Sequence, residues 1–186
     1  MKKKKVTEKE LSEMIKNGDD VTNVDTSGIT DMSWLFYHNS SFNQDISNWD
    51  VSNVTNMLAM FYNASLFNQD ISSWDTSNVK DMRSMFMGAS SFNQDISKWG
   101  VSSVENMYSM FYNASSFNQD ISKWDISNVK DMRSMFYKAS SFNQLNISKW
   151  SNKNKAVNLN IFRGTKLENN KKFKKFIELN KAINEL

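Results

Sequence analysis

Between Asp31 and Trp150 a 25-residue block returns four times in register, nearly letter for letter. No other property of the chain limits its fold so tightly. One copy reads SSFNQDISKWGVSSVENMYSMFYNA, Ser90 to Ala114, and tryptophan recurs at Trp49, Trp74, Trp99 and Trp124, then at Trp150 after a step of 26. A fixed period of this size marks a stacked array, because each unit is too small to bury its apolar face alone and neighbours must cover it. Catalytic sites are usually built once. A chain made mostly of copies points to a binding scaffold.

Within a copy the apolar spacing changes period. Val54, Met57, Met60, Phe61 and Ala64 step by 3, 3, 1 and 3, which predicts one face of a helix, with Ser52 or Asn53 as its N-cap. Ser102 with Glu105 reads as a capping box in another copy. Ile71, Trp74 and Thr76, like Trp49-x-Val51, Trp99-x-Val101 and Trp124-x-Ile126, end on a step of two that predicts a short strand. The expected fold class is therefore α/β: a leucine-rich-repeat-like solenoid of about five strand–turn–helix repeats, capped by atypical ends. Strands would form a parallel sheet on one face and helices would line the other. Residues 1–20 are read as an N-terminal helical cap, 21–166 as the repeats and 167–186 as a C-terminal amphipathic capping helix. In the first cap, Thr7 and Glu10 form a capping box, Leu11, Met14 and Ile15 an apolar stripe, and Gly18 a stop. In the second, Phe173, Phe176, Ile177, Ala182, Ile183 and Leu186 form the stripe. The array also decays at its ends: Val24 stands where a tryptophan belongs, and Asn158 where Met132 sits one copy earlier.

The signature also carries a resemblance. Ser77 to Trp99, SNVKDMRSMFMGASSFNQDISKW, resembles the repeats of BspA-like leucine-rich repeat surface proteins, closest to the mycoplasma group encoded by palindromic amphipathic repeat elements. That resemblance implies a leucine-rich-repeat-like fold and display on the cell surface, or secretion, for adhesion or recognition.

Each repeated column has a structural reading and a chemical one. Met57, Met82, Met107 and Met132, with Phe61, Phe86, Phe111 and Phe136, are expected in the core, as are the tryptophans. Asn43, Asn68, Asn93, Asn118 and Asn143, each followed by Gln, suit an internal amide ladder that satisfies turn backbone. Asp45, Asp70, Asp95 and Asp120 are expected to cap turns; calcium would need six to eight oxygens and a glycine-rich loop, which FNQD lacks.

Function is expected where copies disagree. Ser33-Trp34, Leu58-Ala59, Arg83-Ser84, Tyr108-Ser109 and Arg133-Ser134 vary on the predicted outer helix face. On the predicted concave sheet face stand Asn48, Ser73, Lys98, Lys123 and Lys149, with Asp50, Asp75, Asp125, Ser52, Ser77, Ser102 and Ser127. These twelve residues are the candidate partner-binding set, and their alternating Lys, Asp and Ser predict a polar protein or glycan ligand. The alternative is a cytoplasmic protein-interaction scaffold.

Composition narrows the classes. Cysteine and proline are absent and histidine occurs once, as His38, which leaves no thiol nucleophile, zinc–thiolate cluster or multi-histidine site. No enzyme activity, cofactor or metal is expected. The net charge of +3 is uneven: residues 21–150 carry 8 Lys and Arg against 12 Asp and Glu, whereas 151–186 carry 9 against 3. A nucleic-acid binder would place its positive charge along the repeats, so none is expected as partner. No run of about 20 apolar residues predicts a membrane span. Lys2–Lys5 is followed by the polar VTEKELSEMIKNGDD, which lacks the apolar stretch of an export signal. End-to-end self-association through a thinly covered end is the last expectation.

Overall fold

The structure, a computed structural model of the chain, describes residues 3–152, 154, 157 and 159–184. The N-terminal cap forms as its sequence predicts. Helix α1 spans Glu8–Asn17: the Thr7 hydroxyl accepts from the Glu10 amide while the Glu10 carboxylate accepts from the Thr7 amide, which closes the capping box. Gly18 ends the helix at φ 75°, a left-handed conformation that glycine adopts without a Cβ penalty. Leu11 and Ile15 are buried and Met14 packs beside them. Ahead of α1, strand β1 (Lys4–Lys5) pairs in parallel with β2 (Val24–Asp25), with Lys4 opposite Val24.

The repeats depart from the expected α/β architecture. Among the described residues no copy holds an α-helix, and the two two-residue strands β1 and β2 make up the one named sheet. The strand–turn–helix solenoid with its sheet face and helix face is therefore not the fold. Hydrogen bonding explains why. A helix would send each amide four residues back. Here Met57, Ala59, Phe61 and Asn63 instead donate to the carbonyls of Asp81, Arg83, Met85 and Met87, at 2.7–2.9 Å. The amides between them close tight turns, Met60 to Met57 and Tyr62 to Ala59. The same pattern recurs from Met82 to Asn106 and from Met107 to Asp131. It reduces to single parallel bridges at Asp31, Asn56, Asp81, Asn106 and Asp131.

Alternation of the backbone produces that ladder. Trp34, Ala59, Ser84, Ser109 and Ser134 all sit at φ between 52° and 62°, and His38, Asn63, Gly88, Asn113 and Lys138 between 55° and 71°. Left-handed residues every four positions break any helix and turn alternate amides along the stack. The apolar steps of 3, 3, 1 and 3 are shared by a helix and by these turns, so spacing alone could not separate them. Ser102 and Glu105 cap nothing: Glu105 pairs with Lys130 across the stack at 2.6 Å.

Burial follows the columns as expected. Phe36, Phe61, Phe86, Phe111, Phe136 and Phe162 form a continuous stack with ring centroids 5.1–5.6 Å apart. Phe42, Phe67, Phe92, Phe117 and Phe142 make a second at 5.9–6.1 Å, and Trp74, Trp99, Trp124 and Trp150 a third at 6.3–6.5 Å. All these side chains are buried. Each of Trp49, Trp74, Trp99 and Trp124 also donates its indole N–H to a carbonyl 28 residues earlier, at 2.9–3.1 Å. A buried indole thus keeps a partner. Trp150 does not: its Nε1 is buried without one among the described residues, one residue out of register with the column.

At the C-terminal end two 3₁₀ segments, Leu145–Asn152 and Leu159–Phe162, replace the regular turns, and helix α2 (Lys171–Asn184) packs against the first. Its start is capped by Asn170, whose side-chain oxygen accepts from the Phe173 amide at 3.0 Å. Phe173 meets Phe162 edge to face at 5.0 Å, and Ile177 is buried beside it. Phe176, expected on the same stripe, is 37% exposed. The side chains of Ala182, Ile183 and Leu186, and residue Asn158, lie outside the described residues.

Candidate binding surface

The amide and acid columns resolve into structure first. Asn68, Asn93, Asn118 and Asn143 each donate their backbone N–H to the side-chain oxygen of the asparagine one coil earlier, at 2.8–2.9 Å. Gln69, Gln94, Gln119 and Gln144 donate their amides to the carbonyls of those same earlier asparagines. Asp45, Asp70, Asp95 and Asp120 accept from the serine amide two residues on, at 2.9–3.0 Å. Those serine hydrogen bonds hold the Asp45, Asp70 and Asp95 carboxyls below the ordinary carboxylate range. Both columns are used up by turn backbone. Among the described residues no group of three or more acidic or histidine side chains is placed to hold a metal ion.

The twelve predicted binding residues do not lie on a sheet, because none forms there; eleven lie in turns and loops between buried positions and Lys149 in the 3₁₀ segment Leu145–Asn152. All are exposed except Ser52, which is half-buried. Asn48, Ser73, Lys98, Lys123 and Lys149 flank the buried tryptophans, and the Ser73 hydroxyl donates to the Ser47 carbonyl at 3.0 Å. Asp50, Asp75 and Asp125 accept from the amides of Ser52, Ser77 and Ser127 at 3.0–3.2 Å. Ser102 offers its carbonyl to Asn128 at 2.8 Å. The register of the stack aligns these residues in columns, but the aspartates already serve their own turns.

A second surface lies over the backbone ladder. Met57, Met60 and Phe61 point inward, so Leu58, Arg83, Tyr108 and Arg133 line the outside, together with Tyr37, Tyr62, Met87, Tyr112 and Tyr137. Trp34, Tyr37 and Tyr108 are 49%, 44% and 41% exposed. Tyr37 and Tyr62 are 4.9 Å apart, as are Tyr112 and Tyr137. The Arg133 guanidinium lies 5.6 Å from the Tyr108 ring and also holds Asp131 at 2.7 Å. Below them the bridge column alternates Asp31, Asn56, Asp81, Asn106 and Asp131, which separates like charges by an amide. Sequence reasoning put the variable pairs on an outer helix face; no helix forms there, Trp34, Tyr108 and Arg133 are exposed, Ala59 and Ser109 are buried, and the tyrosines were missed. In a helical reading a tyrosine beside a core phenylalanine sits near the core edge; in this ladder consecutive side chains diverge.

At the N-terminal end this face runs into a groove of about 760 Å³ between α1 and the first coil. Trp34 and Tyr37 wall it, edge to face at 5.0 Å. Glu8 crosses from α1 and accepts from the amides of Thr30 and Asp31 at 3.2 and 3.1 Å.

A stack of 25-residue coils joined by backbone bonds and side-chain ladders defines a repeat protein. The chain belongs to the family described as "Mycoplasma protein of unknown function, DUF285", whose model matches residues 7–119 and again 73–178. No curated protein and no solved structure matches it.

Proposed function

We propose that this chain is a non-enzymatic binding module, displayed on a bacterial cell surface, that engages a protein or glycan through the outer face of its backbone ladder. One observation supports this most: the Phe, Met, Trp and Asn columns are engaged in stacking, whereas Trp34, Tyr37, Tyr108 and Arg133 stand exposed above the ladder. Those residue types dominate binding hot spots because they bring large rigid area at low entropic cost. The polar turn face, Lys98 and Lys123 included, is the competing site within the same reading.

A screen of the whole chain against host-cell surface proteins and oligosaccharides tests the proposal. Tyr112→Ser with Tyr137→Ser should weaken the interaction tenfold or more, while Lys98→Glu with Lys123→Glu should change it less than threefold. The opposite order would move the site to the turn face. Protease shaving of intact bacteria that produce the chain checks display: full protection of the chain would favour the cytoplasmic scaffold.

A further inference from the structure

We infer that the groove between α1 and the first coil is a saccharide subsite, with Trp34 as the platform on which a sugar ring stacks; the inference rests on the binding-module reading and names its ligand class. Five residues share Trp34's place in the stack, and the other four are Ala59, Ser84, Ser109 and Ser134. All five are left-handed, a conformation that crowds the Cβ of any bulky residue. A large aromatic group there contributes nothing to the core, since Trp34 is 49% exposed whereas Ala59 is fully buried. An unfavourable backbone carrying an exposed ring points to use at that ring.

The surroundings select the ligand. The volume of about 760 Å³ lies within the range of sites for small organic ligands. Trp34 and Tyr37 both line the cavity, their rings meeting edge to face at 75°. Around them stand the carboxylates of Glu8 and Asp31, the Lys16 ammonium and the Asn39 amide. Two acids against one base give no net attraction for an anion such as phosphate. Nor do the acids present bare charge to a cation: Glu8 holds two backbone amides, and Asp31 accepts from the Ser33 amide at 2.7 Å and the Asn56 side chain at 3.0 Å. What remains is a polar site with aromatic walls, whose two carboxylates are already engaged by backbone and side-chain amides. A pyranose fits it, because its C–H face lies against an aromatic plane while its hydroxyls both donate and accept at the rim.

The test uses the full chain on an array of neutral and sialylated oligosaccharides, with a Lys/Arg-rich peptide as comparator, followed by fluorescence titration with the best oligosaccharide. Trp49, Trp74, Trp99, Trp124 and Trp150 are buried, so quenching or a blue shift on binding reports Trp34. Trp34→Ser, which restores the residue found in three other coils, should keep the circular dichroism spectrum and lose oligosaccharide affinity at least tenfold. Lys9→Ala, an exposed residue of α1 outside the groove, should leave that affinity within threefold. Oligosaccharide binding that survives Trp34→Ser overturns the subsite but not the outer-face reading. Protein binding without any oligosaccharide binding overturns the ligand class alone. Trp34-dependent capture of the basic peptide only would show a cation site and also overturn it. Failure to bind any protein, oligosaccharide or peptide overturns both.

Discussion

Trp99 in the middle of the stack and Trp34 at its first coil are the same residue used in opposite ways. Trp99 lies between Trp74 and Trp124, buried, with its indole N–H on the Ile71 carbonyl at 3.0 Å. Trp34 lies on a left-handed backbone, half in solvent, above a groove. Position in the array, not residue type, decides the role. Inside, each side chain has a copy above and below it and repetition is the design; at the ends one neighbour is missing and the chain can depart from its own pattern.

The sharpest break of this comparison is substitution at both sites. Trp99→Ala should cost about 3–5 kcal/mol in urea unfolding, from a lost large side chain and the cavity it leaves. Trp34→Ser should change stability by less than about 0.5 kcal/mol in the same assay, as surface substitutions usually do. Equal losses would mean that the first coil is packed like the rest.

Trp150 refines the contrast. Trp99→Phe gives up a buried hydrogen bond, about 1 kcal/mol, although the Ile71 carbonyl keeps the Trp74 amide at 3.2 Å. Trp150→Phe removes an N–H that is buried without a partner among the described residues, so its cost should be smaller by about 1 kcal/mol. Thermal unfolding of the two variants side by side measures the difference, and a larger loss at Trp150 would show that its indole is paired.

The amide ladder should matter less. Asn93 is exposed, yet its oxygen serves the Asn118 amide at 2.9 Å and the Gln119 side chain at 3.0 Å. Asn93→Ala leaves the Asn118 amide to water while Gln119 keeps the residue-93 carbonyl at 2.8 Å, and about 1 kcal/mol of destabilisation in denaturant titration is expected.

Smallest, residue for residue, is the acid column. Serine hydrogen bonds lower the Asp45, Asp70 and Asp95 carboxyls in the folded chain. Their contribution is therefore complete above the unfolded aspartate value of about 3.9 and is lost as pH falls through the lower folded value. The melting temperature should drop across that window. Asp70→Asn should narrow its deficit against the unaltered chain as the pH falls; a deficit constant with pH would remove the carboxylate from the account.

Much of this was legible before any coordinates. Thr7, Glu10 and Gly18 specify α1 because caps are local chemistry, read within four residues. The Phe, Met, Trp and Asn columns were legible because identity at a fixed period implies stacking whatever the unit's shape. That shape was not legible. Val54, Met57, Met60, Phe61 and Ala64 bury one side of either a helix or a run of left-handed turns, and the choice rests on hydrogen bonds to residues 24 positions away. Ala59, Ser84 and Ser109 carry no mark of a positive φ; Asn63, Gly88 and Asn113, four residues on, are the residue types that tolerate one, and they were the available hint. The face above the ladder went unread for the same reason, since placing Tyr62 or Tyr112 outside requires the turn geometry first.

The central claim is that these repeats join coil to coil through alternate amides. NMR couplings across hydrogen bonds measure it most directly. Couplings from the Ser84 amide to the Tyr108 carbonyl and from the Phe86 amide to the Met110 carbonyl are expected, matching separations of 2.8 and 2.9 Å. Couplings from those amides to the carbonyls four residues earlier would restore a helix in each repeat and contradict the account.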